Sequence, residues 1–228
     1  MYYGVWIQYW WLLVPAIVLG FAAQSMVRNT YRKYRQLGSR AGMSGAEVAR
    51  RILDDNRLQN IPVESIAGTL TDHYDPRSKA LRLSQEIYRG KNVAAIGIAA
   101  HESGHAIQHS RSYFPLALRN TVYPVASFGS KLGPVIVIGG LLFGAFQPLI
   151  TVGIVLFAFA VAFSILTLPV EINSSSTALR ILRQDRFLTE EEMQAAKKVL
   201  TAAAFTYVAA ALASVLTLVR LVMLGRRS

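Results

Sequence analysis

Residues 132–170 read LGPVIVIGGLLFGAFQPLITVGIVLFAFAVAFSILTLPV, a run of 39 residues without a charged side chain. A helix crosses the hydrocarbon core of a bilayer with about 20 apolar residues. The run is therefore too long for one span and suits two. A break belongs near Gly144-Ala145-Phe146-Gln147-Pro148, because proline cannot continue a helix and glycine accepts a turn. The first arm is short and borrows Ser127 to Lys131, with Lys131 snorkelling to the interface. Gly129/Gly133 and Gly140/Gly144 set small residues four apart, a pattern of close helix packing in membranes. The expected unit is a transmembrane hairpin over 127–170.

Outward from this hairpin the charges are segregated. Met1 to Val27 carries none, and Val199 to Val219 carries none. The first block suits one span, with Trp6, Tyr9, Trp10 and Trp11 as an interfacial aromatic belt. It lacks a positive start and a small-residue cleavage site, so an uncleaved anchor is expected rather than a signal peptide. The second suits a fourth span, giving membrane segments over 1–27, 127–170 and 199–228, the last with a basic tail. Regions 28–126 and 171–198 lie between them. A hairpin returns the chain to the side it left, so these two regions share a compartment. Residues 28–131 and 171–198 hold 21 of the 24 basic residues, which places them in the cytoplasm by the positive-inside rule. Arg220, Arg226 and Arg227 fall on the opposite side in a four-span chain, a mild departure that a tilted or re-entrant last segment would remove.

Composition excludes several classes. The chain of 228 residues is 53% hydrophobic and only 16% charged, against about 25% charged in soluble domains, so it is not a disordered chain. It has no cysteine, which excludes a disulfide scaffold, cysteine-ligated metal and a thiol nucleophile. The net charge of +11 admits nucleic acid or an anionic membrane as partner. The basic cluster Arg28, Arg32, Lys33, Arg35 and Arg40 just inside the first span favours anionic lipid heads, and no nucleic acid is expected.

The region between the spans reads as mixed α and β. Ser44-Gly-Ala-Glu47 and Thr189-Glu-Glu-Glu192 are capping boxes, the second opening a helix that runs on into the last span. Ile61 to Leu70 and Lys79 to Leu83 read as strands, with Asp72-His-Tyr-Asp-Pro-Arg77 as the turn between them. Asn92 caps a helix reaching to about His109.

That helix carries the chemistry, in Ala99-Ala-His-Glu-Ser-Gly-His-Ala-Ile-Gln-His109. His101 and His105 stand one turn apart on a single face, a spacing that lets both imidazoles reach one zinc ion. Glu102 beside them can act as general base on a water that zinc acidifies. His109 lies two turns from His101, too far along the axis to converge on the same ion. A third ligand must come from elsewhere. The remaining acids on this side are Glu171, Asp185 and Glu190 to Glu192, the last three reading as a solvated first helical turn. Glu171 closes an apolar span after Leu168-Pro-Val170, where a carboxylate is costly unless paired. It is the favoured third ligand, against a purely structural carboxylate at the interface.

The stretches Asp72-His-Tyr-Asp-Pro76, Leu81-Arg-Leu-Ser84, Ala99 to His109, Leu168-Pro-Val-Glu171 and Val199-Leu-Thr-Ala-Ala203 together resemble the bacterial membrane-bound neutral zinc metallopeptidases of the YugP type. They are more distantly similar to membrane gluzincins. The resemblance implies that His101, His105 and Glu171 hold Zn2+ and that Glu102 is the catalytic base. Related gluzincins often carry an acid four residues after the third ligand, supporting the first histidine. Here that position is Ser175, with Asn173 nearby.

The expected fold is mainly α and integral to the membrane, with about four transmembrane helices and a cytosolic α+β zincin-like domain. The expected activity is zinc-dependent endopeptidase action on membrane-associated or misfolded polypeptides at the bacterial inner membrane. Lys79 to Ser84 is a candidate edge strand for substrate, and His73 or Tyr74 a candidate oxyanion donor, each against a plain structural role. Gly104 serves close packing or close substrate approach. The rivals are a scaffold with structural zinc and a membrane-surface adaptor without metal.

Overall fold

The computed structural model describes residues 9–144 and 146–226. Trp6 of the expected aromatic belt, Ala145 in the expected break and Arg227 lie outside these residues. After a single 3-10 turn at Trp10–Leu12 the elements run α1 (Leu13–Tyr34), α2 (Gly45–Asp55), β1 (Val63–Ile66), β2 (His73–Asp75), β3 (Ala80–Ser84), α3 (Gln85–Arg89), α4 (Val93–Ser110), α5 (Phe114–Leu142), α6 (Gln147–Gln184) and α7 (Glu190–Gly225). Four of these, α1 with its preceding turn, α5, α6 and α7, are long and apolar enough to cross a membrane. The chain divides into two compact units. One comprises 117–169, 205 onward and the described residues through Gln24; the other comprises 25–116 and 170–204.

In the first unit large apolar side chains face outward. Phe21 is 74% exposed and Val135 59%, an arrangement unfavourable in water and natural in lipid. Inside, Val137, Ile150, Phe157, Val161, Leu221 and Leu224 form the shared core of α5, α6 and α7. The glycines let α5 and α6 meet backbone to backbone: a Cβ on Gly129 would collide with the carbonyl of Leu156, and one on Gly133 would lie 2.9 Å from the carbonyl of Gly153. Close packing of this kind is the main source of helix association where no water is displaced. The expected break is observed, since α5 ends at Leu142 and Gly144 takes φ 73° before α6 opens at Gln147-Pro148.

The helix ends differ from the sequence reading. α5 starts at Phe114, earlier than Ser127, and α6 does not stop at Val170 but continues through Pro169 to Gln184. A change from apolar to polar sequence alters the surroundings of a helix, not its backbone, and proline is accommodated in membrane helices by local adjustment.

In the second unit both capping boxes form. Ser44 Oγ accepts from Glu47 N–H while Glu47 accepts from Ser44 N–H at 2.7 Å. Glu192 accepts from Thr189 N–H at 2.8 Å, and Thr189 Oγ1 accepts from Glu192 N–H. Glu192 is nevertheless not solvated as expected: it is 5% exposed and also accepts from the Arg40 N–H at 2.7 Å. α7 runs from this box to Gly225 without interruption.

The sheet has order β1-β3-β2, with β1 parallel and β2 antiparallel to β3. The segment read as one long strand from Ile61 keeps only Val63–Ile66, and the segment read as a turn holds β2, leaving residues 76–79 as the turn. Asp75 closes that turn, accepting from Arg77 N–H, Ser78 Oγ and Arg82 Nη1. β3 lies in the middle, so Lys79–Ser84 is not the edge strand the sequence suggested; Leu81 and Leu83 are fully buried. Val93, Ala94, Ala95, Ile96, Ala99 and Ala100 are likewise inaccessible, so α4 passes through the centre of this unit with its composition dictating its depth.

The glycine contacts give a direct test. Replacing Gly129 with alanine drives a methyl into backbone and lowers stability by about 1–3 kcal/mol. At Gly139 only a leucine methyl lies as near as 4.0 Å, and the same change is neutral or stabilising by about 0.5–1 kcal/mol. Thermal unfolding of the two variants in one detergent orders them Gly139→Ala above Gly129→Ala.

Candidate metal centre

The centre is built on α4. Asn92 Oδ1 accepts from Ala95 N–H at 2.9 Å and starts the helix. Two turns on, His101 and His105 present their rings at 4.7 Å centroid separation, nearly perpendicular. α6 supplies Glu171, which is 3% exposed. Its Oε2 lies 3.2 Å from His101 Nε2 and 3.4 Å from His105 Nε2, and the two Nε2 atoms are 3.2 Å apart. Among the described residues this is a group of three side chains that could hold a metal ion.

Two physical features fit zinc. First, ligands bonded to a tetrahedral ion at about 2.0–2.1 Å stand about 3.3–3.4 Å from one another, which matches the observed triangle. Second, the far nitrogens are already engaged. His105 Nδ1 lies 3.0 Å from Gln108 Oε1, an acceptor only, so Nδ1 carries the proton and Nε2 presents its lone pair. His101 Nδ1 lies 3.0 Å from Ser175 Oγ, which accepts when His101 adopts the same tautomer. Two imidazole lone pairs and a carboxylate oxygen then converge on one point, an arrangement that suits a metal cation. Without metal, burial alone would push the His105 imidazole down, but Glu171 and Glu102 hold it above its ordinary pKa.

Supporting contacts fix the triangle. Gln108 Nε2 donates to the Val170 carbonyl and to Asn173 Oδ1, each at 2.8 Å. Ser174 Oγ donates to the His101 carbonyl at 2.6 Å. A Cβ on Gly104 would stand 2.5 Å from Ser174 Oγ, so this glycine serves the approach of α4 to α6. Ser175 takes the place where related gluzincins were expected to carry an acid. Gln108, three residues after His105, is a support the sequence reading passed over; its signal was a long amide one turn from a candidate ligand histidine.

Glu102 is 9% exposed, and its Oε2 accepts from Tyr74 N–H at 3.0 Å. This ties the motif to β2, an edge strand. Tyr74 Oη lies 2.8 Å from His109 Nδ1, so His109 stands outside the three-residue group, as its helical position required. His73 is exposed and its Nδ1 contacts the Thr71 carbonyl at 2.8 Å. Asp72 secures the start of the hairpin by accepting from Ser84 N–H and Oγ. Burial pushes its carboxyl up; the Ser84 bonds oppose this and the charge of Glu102 adds to it.

These features define a membrane-type protein with a His/His/Glu cluster, and comparison with known proteins agrees. The family described as "Putative neutral zinc metallopeptidase" matches residues 9–226, and the chain belongs to it. A relative from Bacillus subtilis (strain 168), described as "Putative membrane protease YugP", is 47% identical over 213 residues, covering 93% of this chain and 94% of the relative. No solved structure gives a significant match.

The histidine supports predict a graded response. Gln108→Ala and Ser175→Ala each weaken zinc binding by about 10–100-fold, while His109→Ala leaves it unchanged. Competition with a chromophoric chelator measures all three.

Proposed function

We propose that the protein is a zinc-dependent endopeptidase in which His101, His105 and Glu171 hold Zn2+ and Glu102 is the general base. The observation that carries this reading is the triangle of Nε2, Nε2 and Oε2 beside a carboxylate that is not part of it. Zinc, when bound, supplies Lewis acidity toward a peptide carbonyl and acidifies a water molecule. Glu102 takes the proton of the attacking water and delivers it to the departing amine. The Tyr74 N–H holds one carboxylate oxygen of Glu102, leaving the other to carry the proton. Low exposure of Glu102, His105 and Glu171 restricts bulk water and strengthens each electrostatic contact.

A polypeptide is the substrate class. β2 supplies the edge along which an extended segment can pair, in place of the strand at Lys79–Ser84. The reading extends to membrane-associated or misfolded polypeptides, because the Glu171 ligand stands on a helix that continues from apolar sequence. The excess of basic residues in 28–131 and 171–198 supports a multi-pass protein of the bacterial inner membrane with its site toward the cytoplasm.

Glu102→Gln keeps one zinc per chain and lowers hydrolysis of an unfolded protein substrate by at least about 100-fold. His101→Ala loses the metal as well. Unchanged hydrolysis by purified Glu102→Gln protein would overturn the mechanism. Chelation separates catalytic from structural zinc: removal silences a catalytic site reversibly with thermal unfolding still cooperative, whereas a structural ion takes the fold with it.

A further inference from the structure

α1 and α7 leave a groove of about 560 Å³ lined by Lys33, Lys197 and Lys198 together with Asn29, Thr30 and Tyr34. It lies within the second unit and is separate from the metal triangle. Its size falls in the range of small-ligand sites, about 300–1,000 Å³. No acidic residue lines it. The other ion pairs of this unit join different residues, such as Arg35 with Glu86 and Arg183 with Glu190. Lys33 contacts the face of the Tyr34 ring, 5.5 Å from its centroid.

Three ammonium groups in one groove repel one another unless an anion lies between them. The sequence states where along the helices this happens. α1 is free of charge up to Val27, and its lysine comes at residue 33, within the last two turns. α7 carries Lys197 and Lys198 immediately before the charge-free run Val199–Val219. Both helices thus pass from charge-free to charged sequence at the groove, which marks the headgroup level of a bilayer. Polar side chains that suit phosphate oxygens, Asn29, Thr30 and Tyr34, stand with the lysines.

We propose that this groove binds the phosphate of an anionic phospholipid headgroup. Lysines act there as point charges on flexible stems, so the site selects charge and depth rather than one headgroup shape. Each contributes electrostatic affinity that falls with ionic strength.

The test uses the purified full-length protein in neutral detergent, with thermal unfolding as readout. Short-chain phosphatidylglycerol, phosphatidylcholine and inorganic phosphate are titrated separately. Phosphatidylglycerol should raise Tm with saturation, and phosphatidylcholine at equal concentration should not. The triple variant Lys33→Gln/Lys197→Gln/Lys198→Gln should weaken the phosphatidylglycerol effect by about tenfold or more while its unliganded Tm stays near wild type. A control triple, Arg51→Gln/Arg57→Gln/Arg77→Gln, removes the same net charge from exposed positions outside the groove and should retain wild-type affinity. Equal losses in the two triples would overturn the groove in favour of general charge attraction. A shift as large with inorganic phosphate alone would overturn the lipid assignment in favour of free phosphate.

Discussion

Glu171 sits on a long helix among apolar residues and is almost inaccessible. A buried carboxylate costs several kcal/mol unless compensated, and the Nε2 nitrogens of His101 and His105 lie 3.2 and 3.4 Å from its Oε2. The His105 nitrogen presents its lone pair, because the ring's N–H is directed to Gln108 Oε1, and that of His101 does the same when its Nδ1 donates to Ser175. Three potential ligand atoms held within 3.4 Å of one another suit a metal cation at their centre. That constraint organises the surrounding side chains. Gln108 anchors one imidazole and is itself anchored by Asn173 and the Val170 carbonyl; Ser174 and Ser175 bind the backbone and the ring of His101. Contacts from residues 170 to 175 of α6 therefore serve the geometry of α4.

The second consequence concerns the sheet. Its three strands are short, and β2 has only three residues. Such a strand gains its place from tertiary contacts rather than from propensity. Here the contacts are the Tyr74 N–H to Glu102 and the Tyr74 hydroxyl to His109. One helix thus carries two histidines at one angular position and, on the adjoining flank, the carboxylate and third histidine that dock the sheet edge. The same arrangement that seats β2 orients Glu102, so architecture and chemistry share their interactions.

All four membrane-type helices contribute residues to both units without a break. α6 passes from the packing of Gly153 against Gly133 to Glu171 along one backbone. No loop separates the apolar sequence of α6 from Glu171. The lysine groove follows from the same continuity, since α1 and α7 change from charge-free to charged sequence at a common level.

Much of this was legible along the chain. Charge-free lengths define the long helices because burying a charge in lipid is costly. Capping boxes define helix starts because their partners lie three residues away, and the four-residue spacing of His101 and His105 defines a shared face by helical period alone. Even Glu171 was reachable, as a carboxylate out of place in an apolar run. The remainder depended on distant pairings that no local pattern encodes. Asp72–Arg77 has turn composition, yet part of it is a strand because β3 and Glu102 supply its partners. Lys79–Ser84 reads as a strand, yet only the sheet order makes it interior. Ser175 is an ordinary polar residue until α6 brings it within reach of His101, and Gln108, one turn from His105, is anchored only when α6 supplies the Val170 carbonyl and Asn173. Local spacing sets what a short segment can form; which atoms converge on one point is decided by contacts between residues more than sixty positions apart, and only the folded chain brings those together.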